Sequence, residues 1–190
     1  MAPNLLLLLN QPSMMDSKNS WIQAGYETFA TSGESGLKIE KLAKAVGVSK
    51  SSFYHYFADM EIFTEVLLQH HLEKSSVLAE KERKANNIDP ELIAILVAHK
   101  TDLLFNRQLR FNQQIKSYKE ILDKSNQIIG NEFVALMAKD MALNLSHQQL
   151  KGLFELGLEN FFLQINPQNL NHQWLSAYFK DFKRIARNFE

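Results

Sequence analysis

Residues 39–57 read IEKLAKAVGVSKSSFYHYF. Ile39, Leu42, Ala43 and Val46 fall at steps of zero, three, four and seven, one face of an α-helix. This spacing predicts a helix from about Lys38 to Val46. Gly47 breaks it, and Val48 keeps an apolar side chain beside the break. Ser49 stands where a short further helix would begin, a residue type suited to N-capping. In that helix Phe53 and Phe57, four apart, share the buried side. Lys50, Ser51, Tyr54 and His55 are left on the other side.

Upstream, Trp21 and Ile22 open another apolar pattern. Tyr26, Phe29 and Ala30 continue it at steps of four, seven and eight from Ile22. Gly33 follows the last turn, and Thr31 to Gly36 is small and polar, a loop. Three short helices with a glycine turn between the second and third make a helix-turn-helix. Ala43 is small where the second helix must cross the third. The third is short and amphipathic, and its N-terminal end carries small or polar residues. Such an end fits a major groove ~12 Å wide, with Lys50 and the hydroxyls of Ser51 and Ser52 available to base edges and phosphates.

Downstream of Asp59 the helices lengthen. One spans about Met60 to Ala85, and Asn86, Asn87 and Pro90 mark a loop. Another runs near Glu91 to Phe105, and residues 107–145 read as two more with a break near Gly130. Ser146 caps a helix to about Ile165, and the last runs from about Leu170 to Phe189. No segment alternates like a strand, so the expected fold class is all-α. The expected domains are a disordered leader over 1–15, the helix-turn-helix over 16–58 and a larger helical domain over 59–190.

Composition sets outer limits. The 190 residues are 45% hydrophobic with 13 Phe, enough for a core, and only seven Gly and four Pro, few enough for long helices. There is no Cys, hence no disulfide, thiolate metal site or Cys nucleophile, which fits a cytoplasmic protein. The formal net charge is zero, so any nucleic-acid contact must come from a local patch. Before Asp59 that patch is thin, with five Lys against four acids. The run Leu5 to Leu9 is far shorter than the ~20 apolar residues of a membrane helix. It also lacks the positive residues of a secretory signal. No His has Glu three residues before it, and no HExxH, Walker A or GxSxG motif occurs. No enzyme, cofactor or metal site is expected.

The stretch from about Trp21 to Phe63 resembles the TetR family of bacterial regulators. The resemblance rests on Ile22-Gln23-Ala24-Gly25, Phe29, Gly33, Ile39, Leu42-Ala43, Val46-Gly47-Val48-Ser49-Lys50 and Phe53-Tyr54-His55-Tyr56-Phe57. It implies a homodimer on a near-palindromic DNA operator, usually a repressor released by a small-molecule effector. Position by position, Ser49, Lys50, Ser51 and Ser52 lie in the reading segment, and Tyr54 and His55 match an aromatic pair that touches phosphate. Two residues depart from the family pattern. Lys38 stands where Thr often opens the second helix, and it can reach phosphate but cannot N-cap. Met60 stands where a Lys usually precedes Glu61, removing a common phosphate anchor.

For the C-terminal domain the resemblance covers architecture alone. It implies that the last two helices pair with their copies, and their apolar stripes supply Phe154, Gly157, Leu158, Phe161, Trp174 and Tyr178 as interface residues; the alternative is a purely intramolecular core, and both can hold on different faces. An effector pocket is expected among the middle helices. The candidates there are His99, Phe105, Arg110, Phe111 and Tyr118. The competing reading is a helix-turn-helix protein whose bundle binds a protein partner or nothing. A wide cavity would favour the sensor, and a filled core with a second exposed apolar patch would favour the partner.

Overall fold

Trp21, Tyr26, Phe29 and Ala30 are all buried, which gives the first helix its packing face. The computed structural model describes residues 14–189, and no strand occurs among them. The Leu-rich leader, through residue 13, lies outside the described residues. The first helix, α1, is Met14–Ser32, so it begins ahead of the apolar stripe that marks it in the sequence. A short 3-10 turn follows at Glu34–Gly36. Then come α2 (Ile39–Val46), α3 (Lys50–Tyr54) and a long α4 (Met60–Lys84).

The chain divides into two compact units, the first ending at Leu67 and the second beginning at Leu68. Helix α4 is continuous through that division. The core of the first unit is an aromatic cluster. Phe53 packs edge-on against Trp21 and Phe63, each at 5.3 Å between ring centroids, and Phe57 lies 4.7 Å from Phe63. Edge-to-face rings at such distances add to the burial energy. Asp59 starts α4 by accepting the Ile62 N–H at 2.9 Å, an N-cap bond.

Among the described residues, the second unit holds the rest of α4 and five more α-helices: α5 (Ile93–Ala98), α6 (Lys100–Phe111), α7 (Lys116–Met141), α8 (His147–Gln164) and α9 (His172–Ala186). Three boundaries differ from those the pattern predicts, one of them the expected helix end at Phe105, which α6 passes to reach Phe111. The single helix expected over residues 91–105 is broken at His99, whose backbone leaves helical geometry at φ −101°, ψ 24°. Its ring is held from both sides, Nδ1 by Asp102 at 2.6 Å and Nε2 by Lys81 at 2.9 Å. Conversely, no break occurs at Gly130, and α7 runs through it. One interior glycine costs about 1 kcal/mol relative to alanine. Burying Leu122, Leu136, Met137 and Met141 along the same helix outweighs that. Ser146 caps α8 in a reciprocal box, accepting the Gln149 N–H at 3.3 Å while the Gln149 side chain accepts the Ser146 N–H at 3.0 Å.

Candidate DNA interface and C-terminal cavity

Gly47 ends α2 in the left-handed region, φ 78°, with its N–H on the Ala43 carbonyl at 2.9 Å. No atom lies within 4 Å of where its Cβ would be. Backbone conformation, not space, therefore calls for glycine here. The turn delivers Ser49 to the N-cap position of α3 in extended conformation. The Ser49 hydroxyl makes no capping bond and instead lies 2.8 Å from the Ser51 hydroxyl.

Of the residues expected to read DNA, Lys38, Ser49, Lys50, Ser51, Tyr54 and His55 are all exposed. They fall on the entry to α2 and along the short α3. Tyr54 is 60% exposed even though its ring packs edge-on against Phe53. Lys38 occupies the N-cap position of α2 and makes no side-chain capping bond. Ser52 departs from expectation. It is half-buried, and its hydroxyl accepts the Trp21 indole N–H at 3.2 Å, tying α3 to α1. The sequence pattern cannot reveal this bond because its partners are 31 residues apart. Lys50 is engaged as well, donating to Glu40 at 2.8 Å with both side chains more than half exposed. That hydrogen bond is the main reason the Glu40 carboxyl lies below its ordinary range.

In the second unit, helices α4 to α9 line a partly open cavity of about 980 Å³. Leu78, Leu103, Met137, Phe154, Phe161 and Phe179 supply much of its apolar wall. Arg110 is the one residue of the expected ligand set that borders it. The reason is the angular position of each residue on α6. Asp102, Leu103, Asn106 and Arg110 share the inward face, whereas Phe105 and Phe111 point elsewhere. Phe105 stacks on His71 at 4.6 Å, and Phe111 is 45% exposed under the Arg107 guanidinium. His99 sits at the helix break behind Asp102, and Tyr118 is buried away from the cavity. The ammonium of Lys81 can only donate, so His99 Nε2 accepts and Nδ1 carries the proton given to Asp102.

The polar residues that do border the cavity include His71, Asn106, Asn126 and Glu159. None of the four is among the ligand residues expected from the sequence, since polar residues on helices carry no mark of which neighbour they face. Desolvation pushes the fully buried His71 down to about 4. Burial also pulls the Arg110 guanidinium down, and its bond to Glu159 opposes that shift.

The expected interface residues of α8 and α9 largely serve the subunit's own packing. Phe154 and Phe161 are only 5% and 7% exposed. Phe161 packs against Trp174 and Tyr178 of α9 at 6.1 and 5.4 Å. Gly157 does permit close helix approach, but to α9 of the same chain: a Cβ there would meet the Phe182 ring at 2.3 Å. Tyr178 donates to the Gly157 carbonyl at 2.8 Å, and burial pushes its phenol up to about 12. Leu158 is half-buried at the cavity wall. The exposed apolar residues of α8 are instead Leu156 and Leu163, at 74% and 62%.

A helix-turn-helix head joined by a continuous helix to a larger helical unit defines a class of DNA-binding regulators. Residues 22–65 match the family model described as bacterial regulatory proteins, tetR family. The N-terminal domain belongs to that family of transcriptional regulators. Among solved structures, a transcriptional regulator from Rhodococcus sp. Rha1 is similar over 94% of this chain and 97% of its own, at 17% identity and TM-score 0.63. A proposed TetR-family regulator from Mesorhizobium loti MAFF303099 is similar over 92% and 98%, at 15% identity and TM-score 0.50. At these identities the likeness is one of fold. A search of curated proteins finds no match. Among the described residues, no helix is long and apolar enough to cross a membrane, and no group of His, Cys, Asp and Glu is arranged to hold a metal ion.

Proposed function

We infer that this regulator is a cytoplasmic homodimer that binds a near-palindromic operator as a repressor and is released by a small-molecule effector. The observation that carries the effector reading is the cavity of about 980 Å³ within the second unit. Its wall includes His71, Ser75 and Leu78 of α4, the helix whose first turns belong to the DNA-binding unit. A ligand pressing on that wall acts on a rod covalently continuous with the reading head. The cavity also favours a sensor over a bundle that only docks a protein partner.

Two copies of α3 would enter successive major grooves about 34 Å apart. Lys38, Lys50, Tyr54 and His55 would set register on phosphates, while Ser49 and Ser51 face the bases. Ser52, held by Trp21, orients α3 instead of reading DNA. Dimerisation would use the outer face of α8, where Leu156 and Leu163 are seven residues apart and therefore on one side. The half-buried Trp174, Tyr178 and Leu158 contribute mainly by holding α8 and α9 together.

The test is fluorescence anisotropy of the purified protein on the DNA upstream of its own gene, at several salt concentrations, beside a scrambled duplex. Tight, salt-sensitive binding that prefers the native duplex supports the reading. Absence of binding to either duplex at low salt would overturn it.

A further inference from the structure

Arg110 is 91% removed from solvent, judged by its 9% residual exposure, and its guanidinium is fixed on three sides. Nε donates to Asn106 Oδ1 at 3.2 Å and Nη2 to Asn126 Oδ1 at 3.0 Å. The Phe162 ring lies 4.5 Å from Cζ. Asn106 is itself locked, because its amide nitrogen donates to Ser125 Oγ at 3.0 Å. Nη1 donates to Glu159 of α8. These bonds use three N–H groups, and a guanidinium has more to give.

The two ends of the Arg110–Glu159 pair differ in a way that matters. Arg110 is buried, whereas the Glu159 side chain is 61% exposed. A ligand cation that captured Glu159 would strand a buried, unpaired guanidinium, which is costly. A ligand anion that captured Arg110 would release Glu159 into water, where a carboxylate is well solvated. The exchange is cheap in one direction only. Asp102, Glu82 and Glu155 also border the cavity, but each has a partner within the protein, His99 in the case of Asp102 and Lys151 in the case of Glu155.

We propose that the cavity takes an amphipathic monoanion, an alkyl or aryl carboxylate, whose head replaces Glu159 on Arg110 and whose body fills the apolar wall of Leu103, Met137, Phe161 and Phe179. This deepens the effector reading above and rests on it. The ligand head would bond in the plane of the guanidinium, where paired N–H groups match a carboxylate. Loss of the Glu159 bond uncouples α8 from α6.

The test is isothermal titration of the full chain with decanoate, decanol and decyltrimethylammonium, each below its micelle concentration. Decanoate should bind at least about tenfold more tightly than decanol, the worth of one charge-assisted bond. Glu159→Gln removes the competing carboxylate from an exposed site, so it should tighten decanoate severalfold and leave decanol unchanged. Arg110→Met should erase the preference for decanoate, with circular dichroism reporting whether that variant folds. If it does not fold, the three probes and Glu159→Gln still decide. Binding of decanol or the ammonium as tight as decanoate would overturn the anion assignment and leave the effector reading standing. So would a Glu159→Gln variant that binds decanoate no better. If none of the three probes binds, the alkyl-carboxylate assignment falls, and the effector reading is judged separately by the DNA titration above.

Discussion

At Lys50 an intramolecular partner would compete with the proposed DNA contact. Its ammonium lies 2.8 Å from Glu40, and both side chains are largely exposed. Exposed pairs of this kind contribute little to stability, so breaking one to reach a phosphate is cheap but not free. Glu40→Gln should strengthen operator binding by a small factor and leave thermal stability nearly unchanged. Lys50→Ala should weaken binding and reduce the slope of log K against log salt by about one contact's worth. Anisotropy titrations across a salt series read both, and a Lys50→Ala slope equal to the parent's would remove Lys50 from the phosphate contacts. Gly47 makes a prediction about the fold alone. Because open space surrounds its missing Cβ and φ is 78°, Gly47→Ala should cost about 1–2 kcal/mol through backbone conformation. Urea unfolding measures that cost, and Gly47→Asn should recover part of it because asparagine tolerates this region better.

Helix α8 carries two apolar faces with different fates. Phe154, Phe161 and Phe162 turn inward, while Leu156 and Leu163 remain exposed. Burying a leucine is worth about 2 kcal/mol. Leu156→Glu combined with Leu163→Glu should therefore shift the protein from dimer to monomer in light-scattering chromatography, with helix content unchanged by circular dichroism. A double variant that stays dimeric would move the interface to another face. This helix also marks how far the sequence can be read. Its start at Ser146 was legible because a capping box is local chemistry, complete within four residues. The turn at Gly47 and the aromatic spacing of α3 were legible for the same reason. Which face of α8 points inward was not legible, because both faces are apolar and the packing partners on α6 and α9 decide. The Ser52–Trp21 bond, the break at His99 and the Arg110–Glu159 pair depend on residues far apart in the chain. The continuity of α7 through Gly130 turns on a balance between propensity and burial that no local window contains.

Across the whole molecule, the clearest consequence of burial is acid sensitivity centred on His71. The ring is wholly buried on α4, stacked on Phe105, and its ordinary value is depressed to about 4 by desolvation. In the unfolded chain the same group titrates near 6.5. Between these values the unfolded state holds the extra proton and the folded state does not. Stability therefore rises with pH across this window, and is lost as pH falls from about 6.5 toward 4. The contribution of a single such group is at most about 1.4 kcal/mol per pH unit. Other groups titrate in the same range, so the informative quantity is a difference. His71→Phe keeps an aromatic ring against Phe105 and removes the proton site. Urea unfolding of the parent and this variant at a series of pH values should give curves that diverge below about 6.5, with the parent losing stability more steeply. Parallel curves would mean that His71 takes up its proton as readily folded as unfolded, and the depressed value would be wrong. Because α4 links the two units and His71 borders the cavity, the same titration bears on function. A decanoate body that depressed His71 further would widen the pH window over which stability is lost, whereas an anionic head that favoured the protonated ring would narrow it. The parent repeated with ligand present is thus the experiment that joins the stability of α4 to the occupancy of the site it lines.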